Sequence, residues 1–159
     1  MSLPEIKTIL YTTSLGKHTR PVFRQAVKMA SLYKARIIML HVVEPIGETG
    51  QVLIQKYLPK ELIKTVHDEG LKTVKLNMKE RVRKFYQDEI EKLEEIPDIE
   101  IDQIVGEGNR SDVIVELANK VDADLILIGS HNSFGRSSRT TRQVIKYATQ
   151  PVMVIPTRN

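Results

Sequence analysis

"RIIMLHVV", residues 36–43, carries apolar side chains at all but two positions, and four of its residues are β-branched. A strand with one wetted face alternates apolar and polar residues. An unbroken run of this kind suits a strand buried on both faces, as in a parallel sheet. The flanking segments agree. Before it, Ile6–Thr13 reads as a strand. His18-Thr19-Arg20-Pro21 then reads as a helix start, with Thr19 as the N-cap and Pro21 in the first turn. Val22, Phe23, Ala26, Val27, Ala30 and Leu32 follow at helical spacing. After it, residues 44–60 form a loop punctuated by Gly47, Gly50 and Pro59.

A long helix is predicted next. Leu71, Val74, Met78, Val82, Phe85, Glu89 and Leu93 recur three or four apart. Glu89 is the exception on that stripe, Ile90 covers the gap, and the charges face water. Gly70 marks a kink or the join of two helices, and Pro97 ends the segment. Ile99–Val105 alternates as a strand with one wetter face, and Gly106-Glu107-Gly108 turns the chain. Asn109 or Ser111 caps a helix carrying Val113, Ile114, Leu117, Ala118 and Val121. Asp124–Gly129 is a buried strand, Arg139–Ala148 a helix, and Pro151–Pro156 a closing strand. The order βαβαβαβαβ predicts an α/β domain spanning 1–159. Its architecture is an open five-stranded parallel sheet with helices on both faces, in the order 3-2-1-4-5.

Composition narrows the function. The 159 residues are 41% hydrophobic and 28% charged, with no Cys and four His. That removes disulfides and thiolate chemistry, and the His spacing suits no metal site, so no metal is expected. No apolar run reaches the ~20 residues of a membrane helix, and Met1-Ser2-Leu3-Pro4-Glu5 lacks a signal-peptide layout. A cytoplasmic location is expected. A net charge of +4 and 5% aromatic residues offer neither a clustered basic footprint nor a stacking platform, so nucleic acid is not an expected partner.

An open parallel sheet binds ligands beyond the C-terminal strand ends, where the strand order reverses. Thr12-Thr13-Ser14 and Gly129-Ser130 end the first and fourth strands, with His41-Val42 beside them. The segment GSHNSFGRSSRTTRQVIKYATQPVMVIP, residues 129–156, emerges on this rim.

"IKTILYTTS", "LHVVEP", "DLILIGSH" and "QPVMVIP" occur in this order and together resemble the universal stress protein family across nearly the whole chain. The resemblance implies an adenine-nucleotide-alpha-hydrolase-like fold, a dimer, and a site that in many members holds ATP or AMP. Nucleotide-binding members carry Gly-x2-Gly-x9-Gly followed by Ser or Thr, because glycines and a helix N-terminus let the backbone approach phosphate. Gly129 fits the first position, but the later ones fall on Asn132, Arg142 and Gln143. Anchored on Pro151-Val152, the last glycine falls on Ser138. Ser14 stands where binding members carry an Asp near ribose and metal. The resemblance also places Val42 beneath the base. The candidate site is therefore Thr13, Ser14, Val42, Gly129, Ser130, Gly135, Ser138, Arg139, Thr140 and Thr141, with hydroxyls and Arg forks replacing glycines.

Ser14, Ser130 and Ser138 lack a Gly-x-Ser-x-Gly elbow, and a phosphoryl-transfer enzyme would need carboxylates at the metal position. No catalytic residue is assigned. His41 reads as a half-buried, satisfied side chain, with a proton carrier beside a ligand as the alternative. Val152, Met153, Val154 and Ile155 lie between two prolines, which suits an edge strand. Pairing with a second copy would cover it. The expectation is a non-enzymatic, stress-linked or regulatory homodimer with an altered nucleotide pocket. The alternative is an adenine-nucleotide binder that uses the Ser/Thr/Arg loop.

Overall fold

The computed structural model describes residues 1–15, 19–44, 60–94, 98–131 and 139–157, the side chains of 60–71, 73–75, 78 and 131 excepted. The elements are β1 (Thr8–Thr12), α1 (Arg20–Tyr33), β2 (Arg36–Val43), α2 (Lys60–Glu91), β3 (Ile101–Glu107), α3 (Arg110–Lys120), β4 (Leu125–His131), α4 (Arg139–Tyr147) and β5 (Val152–Thr157). The five strands form one sheet in the order β3-β2-β1-β4-β5, and every pairing is parallel.

The double-sided burial expected of residues 36–43 is met by two separate cores. Ile9, Tyr11, Ile37, Met39, Leu125 and Leu127 pack beneath α1 and α2, against Val22, Phe23, Ala26, Ala30, Val82 and Phe85. Phe23 anchors that layer, 6.0 Å from the Tyr11 ring and edge-on to Phe85 at 6.0 Å, an arrangement aromatic quadrupoles favour. On the other face Leu10, Ile38, Leu40, Ile126 and Ile128 pack beneath α3 and α4, against Ile114, Ala118 and Val144. Alternate residues of each central strand feed alternate cores, so the middle of each strand is apolar and polar residues sit toward its ends.

Asp124 sets the base of the sheet. Its Oδ2 accepts from the backbone N–H of Lys7 (2.8 Å) and Thr8 (3.0 Å), holding the starts of β1 and β4 together. The edges are β3 and β5. Residues 152–155 of β5 are only partly buried, with exposed prolines on either side.

Four local expectations are changed or decided. Thr19 does not cap α1: its backbone is already helical (φ −89°, ψ −7°) and its side chain makes no capping bond. Its hydroxyl is buried and lies 3.3 Å from that of Thr13. Of the two candidates for α3, Asn109 is the cap and accepts from Asp112 N–H. Ser111 is buried instead, its hydroxyl between Asn109 Oδ1 (2.8 Å) and Gln143 Oε1 (2.7 Å), tying α3 to α4. β3 lies two residues later than its alternation suggests. Its register is set by pairing Ile101 with Ile37 through Glu107 with Val43, and Gly108, at φ 134°, makes the turn that stops it. Finally, α2 runs as one helix through Gly70. It ends at Glu91, before Pro97, which lies outside the described residues.

Glu89 is the largest departure. Ile90 packs against the core as expected, but Glu89 itself leaves no gap. Its side chain is 1% exposed, with Oε1 3.1 Å from Arg20 Nε and Oε2 3.6 Å from Arg24 Nε. Lys92 Nζ lies 3.9 Å from Oε1. The helical spacing of the buried stripe holds through position 89, and a carboxylate occupies it because α1 brings two arginines to meet it.

Candidate functional site

A cleft opens beyond the C-terminal ends of the strands, over the switch between β1 and β4. Its cavity measures about 170 Å³ among the described residues, comparable to one of roughly 150 Å³ that admits an aromatic ring. Thr12 ends β1, and Thr13 and Ser14 follow it; β2 contributes His41 and Val42; β4 contributes Ile128 and Gly129. Thr19 and Val22 come from the start of α1, Arg110 and Ile114 from α3, and Thr140 and Thr141 from the first turn of α4. Thr157 closes the β5 side.

Gly129 is required by packing. A Cβ there would stand 3.0 Å from Val22 Cγ2 and 3.2 Å from Thr157 Cγ2, so the absent side chain lets α1 close onto β4. Thr13 organises the other wall. Its N–H donates to the Leu40 carbonyl (2.9 Å), and its Oγ1 accepts from Leu15 N–H (3.0 Å). This carries the chain through Leu15, at φ 65°, toward α1.

His41 Nδ1 lies 2.8 Å from the Thr13 carbonyl. A carbonyl only accepts, so Nδ1 carries the proton and the neutral ring keeps Nε2 as an acceptor. Burial pulls the His41 pKa below its ordinary value of 6.5. The Thr13 bond opposes that shift, and Arg81 and Arg110 reinforce it. The ring is a satisfied, half-buried side chain, as read from the sequence, and it also lines the cleft. Arg110 Nε lies 3.7 Å from Glu44 Oε1, both about half exposed. No Asp or Glu lines the cleft among the described residues, and none of their His, Asp and Glu groups could hold a metal ion. The chemistry on offer is hydroxyls, one guanidinium, an imidazole and the N-terminal end of α4. It suits an anionic, ring-bearing ligand.

Of the sequence candidates, Thr13, Ser14, Val42, Gly129, Thr140 and Thr141 converge on this cleft. Ser130 does not join them. It is buried one residue further along β4, opposite Pro156, and its carbonyl accepts from Thr157 Oγ1 (3.0 Å). Arg139 opens α4 but its side chain is exposed and outside the lining. Gly135, Ser138 and Asn132 lie outside the described residues, as do residues 45–59 of the loop read at 44–60. Sequence reasoning missed Thr19, Val22, Arg110, Ile114, Ile128 and Thr157. Arg110 was within reach: it follows the third strand directly, at the end where ligands gather. Thr157 and Val22 carried no local signal.

The profile described as the universal stress protein family matches residues 5–156. Universal stress protein A of Yersinia pestis is 23% identical over 155 residues, covering 96% of this chain and 93% of that protein. Among solved structures, a universal stress protein in complex with cAMP superposes with a TM-score of 0.61 at 17% identity, covering 97% of this chain and 99% of that one. The universal stress protein from Archaeoglobus fulgidus in complex with dAMP gives 0.55 at 19% identity, covering 96% and 99%. These likenesses carry the fold, and the profile match spans nearly the full chain. The chain belongs to the universal stress protein family.

Proposed function

We propose that this protein is a non-enzymatic regulatory member of its family, acting in the cytoplasm, whose cleft takes an adenine nucleotide of low charge without a divalent cation. The observation that carries the reading is the composition of the cleft wall. Thr140 and Thr141 at the start of α4 and Arg110 line it, and no Asp or Glu does among the described residues. A triphosphate held through magnesium needs carboxylate oxygens. A monophosphate or cyclic phosphate needs only donors and a helix N-terminus. Apolar Val42, Ile114 and Ile128 supply the surface a base needs. Structural relatives solved with cAMP and dAMP support the same ligand class. This is the altered pocket that Ser14 anticipates. We also propose that two copies pair through β5, whose partly exposed apolar residues lie at a sheet edge.

The test is calorimetric titration of nucleotide-free protein with AMP, cAMP and ATP, each with magnesium and with EDTA. The expected result is micromolar AMP or cAMP binding that EDTA leaves unchanged, with the nucleotide recovered intact. No heat up to millimolar ligand would refute nucleotide binding, and strict dependence on magnesium would refute this mode of it.

A further inference from the structure

We propose that Glu89 is a positioning residue for the nucleotide cleft. Acting through Arg20, it sets the first turn of α1, and with it the Thr19–Thr13 hydroxyl pair and Val22 in the cleft wall. The inference rests on the nucleotide reading above for its ligand, but its geometry stands without one.

Glu89 is 1% exposed, whereas Arg20, Arg24 and Lys92 are 31%, 54% and 45% exposed. Neither carboxylate oxygen makes an aligned hydrogen bond among the described residues, nor does Arg20 Nε. A buried ion pair without aligned hydrogen bonds recovers little of its desolvation cost, so stability is a poor reason for it. The needs of α1 are a better one. Its N-terminus has no side-chain cap and no acidic residue in the first turn. Arg20 stands there instead, where a helix N-terminus disfavours positive charge. The negative charge missing from α1 is supplied from α2.

Arg20 follows Thr19 directly, and Thr19 both lines the cleft and meets the Thr13 hydroxyl at 3.3 Å. Val22, one turn on, packs where a Gly129 Cβ would be. Tyr11 lies behind the same wall. Its buried hydroxyl makes no aligned hydrogen bond among the described residues. Burial raises its pKa, the Thr13 and Thr19 hydroxyls oppose the shift, and the Glu89 charge adds to it. A buried polar layer thus runs from Glu89 to the cleft, and its cleft end is the wall that a ligand touches.

The experiment compares Glu89→Gln with Val82→Ala, a buried change on the same helix. Thr13 and Thr19 methyl resonances are read by NMR in ligand-free protein, and AMP affinity by calorimetry. Glu89→Gln is expected to move both methyls and to weaken AMP about tenfold, as misplacing contact groups does. Val82→Ala should do neither, and Glu89→Gln should have no further effect on affinity in a Thr19→Val background. If Glu89→Gln fails to fold, Arg20→Lys carries the same expectations. Unmoved methyls, equal movement in Val82→Ala, or moved methyls with unchanged AMP affinity would each overturn the proposal. Wild-type protein that binds no AMP would sink the nucleotide reading instead, with the methyls alone deciding whether Glu89 positions the wall.

Discussion

Arg20→Met and Glu89→Met remove the two halves of one ion pair, and their costs should be unequal. Arg20→Met leaves a carboxylate that is 1% exposed, with Arg24 at 3.6 Å and Lys92 at 3.9 Å as its remaining partners. Stranding a buried charge costs about 3–5 kcal/mol. The two remaining half-solvated cations reduce that to about 2–3 kcal/mol by the same reasoning. Glu89→Met leaves only cations that are 31%, 54% and 45% exposed. Water already reaches them, and the new side chain joins the stripe of Val82 and Phe85, so the change should stay within about 1 kcal/mol of zero. At this chain length ~1 kcal/mol moves Tm by about 2–4 °C. Arg20→Met should therefore lower Tm by about 4–12 °C and Glu89→Met by no more than about 4 °C. Thermal unfolding with a urea series reads both. The double variant should resemble Glu89→Met alone, since no stranded carboxylate remains. A Glu89→Met protein as unstable as Arg20→Met would refute the asymmetry, and with it the idea that the pair is not kept for stability.

His41 should make stability depend on pH. Its folded pKa lies below the ordinary 6.5, so the unfolded chain takes the proton first, and stability is held above that value and lost as pH falls through and below it. His41→Asn keeps a donor for the Thr13 carbonyl and should flatten the decline in urea midpoints below pH 6.5; an unchanged slope would count against the assignment. Asn109→Ala removes the side chain that caps Asp112 N–H and should cost about 1 kcal/mol, a fall of about 2–4 °C in a thermal scan. Val154→Lys places a charge on the β5 edge and should convert a dimer to monomer by light scattering. Wild-type protein that is monomeric at micromolar concentration would end that proposal.

Much of the architecture was legible because burial on two faces writes itself into composition. Residues 36–43 could not be half-wet, and the alternation of such runs with helical stripes left few sheet orders open. The cleft was legible for a related reason: strand ends are countable, so Thr13, Ser14, Val42 and Gly129 could be placed on one rim. What stayed hidden depended on partners distant in sequence. Periodicity located Glu89 on the buried side of its helix, but only the approach of α1 shows which charges meet it. Thr19 has the composition of an N-cap and Asn109 does too. The difference is that Thr13 claims the Thr19 hydroxyl while Asn109 turns to its own helix. Ser130 is buried outside the lining, because a strand end seen in sequence does not show where its neighbouring strand stops.

β1 sits at the centre of the sheet and reaches its two neighbours over unequal spans. Thr8 meets Arg36 across 28 residues, and Asp124 across 116. Bringing together the ends of a loop about four times longer costs about 1.2 kcal/mol more in chain entropy. The β1–β2 half can therefore assemble early, and β1–β4 pairing comes late, secured at its base by the Asp124 carboxylate. Thr12 faces Ile128 only after that last pairing. The cleft is then the newest part of the molecule to form and the first to come apart. A ligand spanning it would act chiefly by slowing the opening of β1 from β4, lengthening the lifetime of the folded protein more than it speeds refolding.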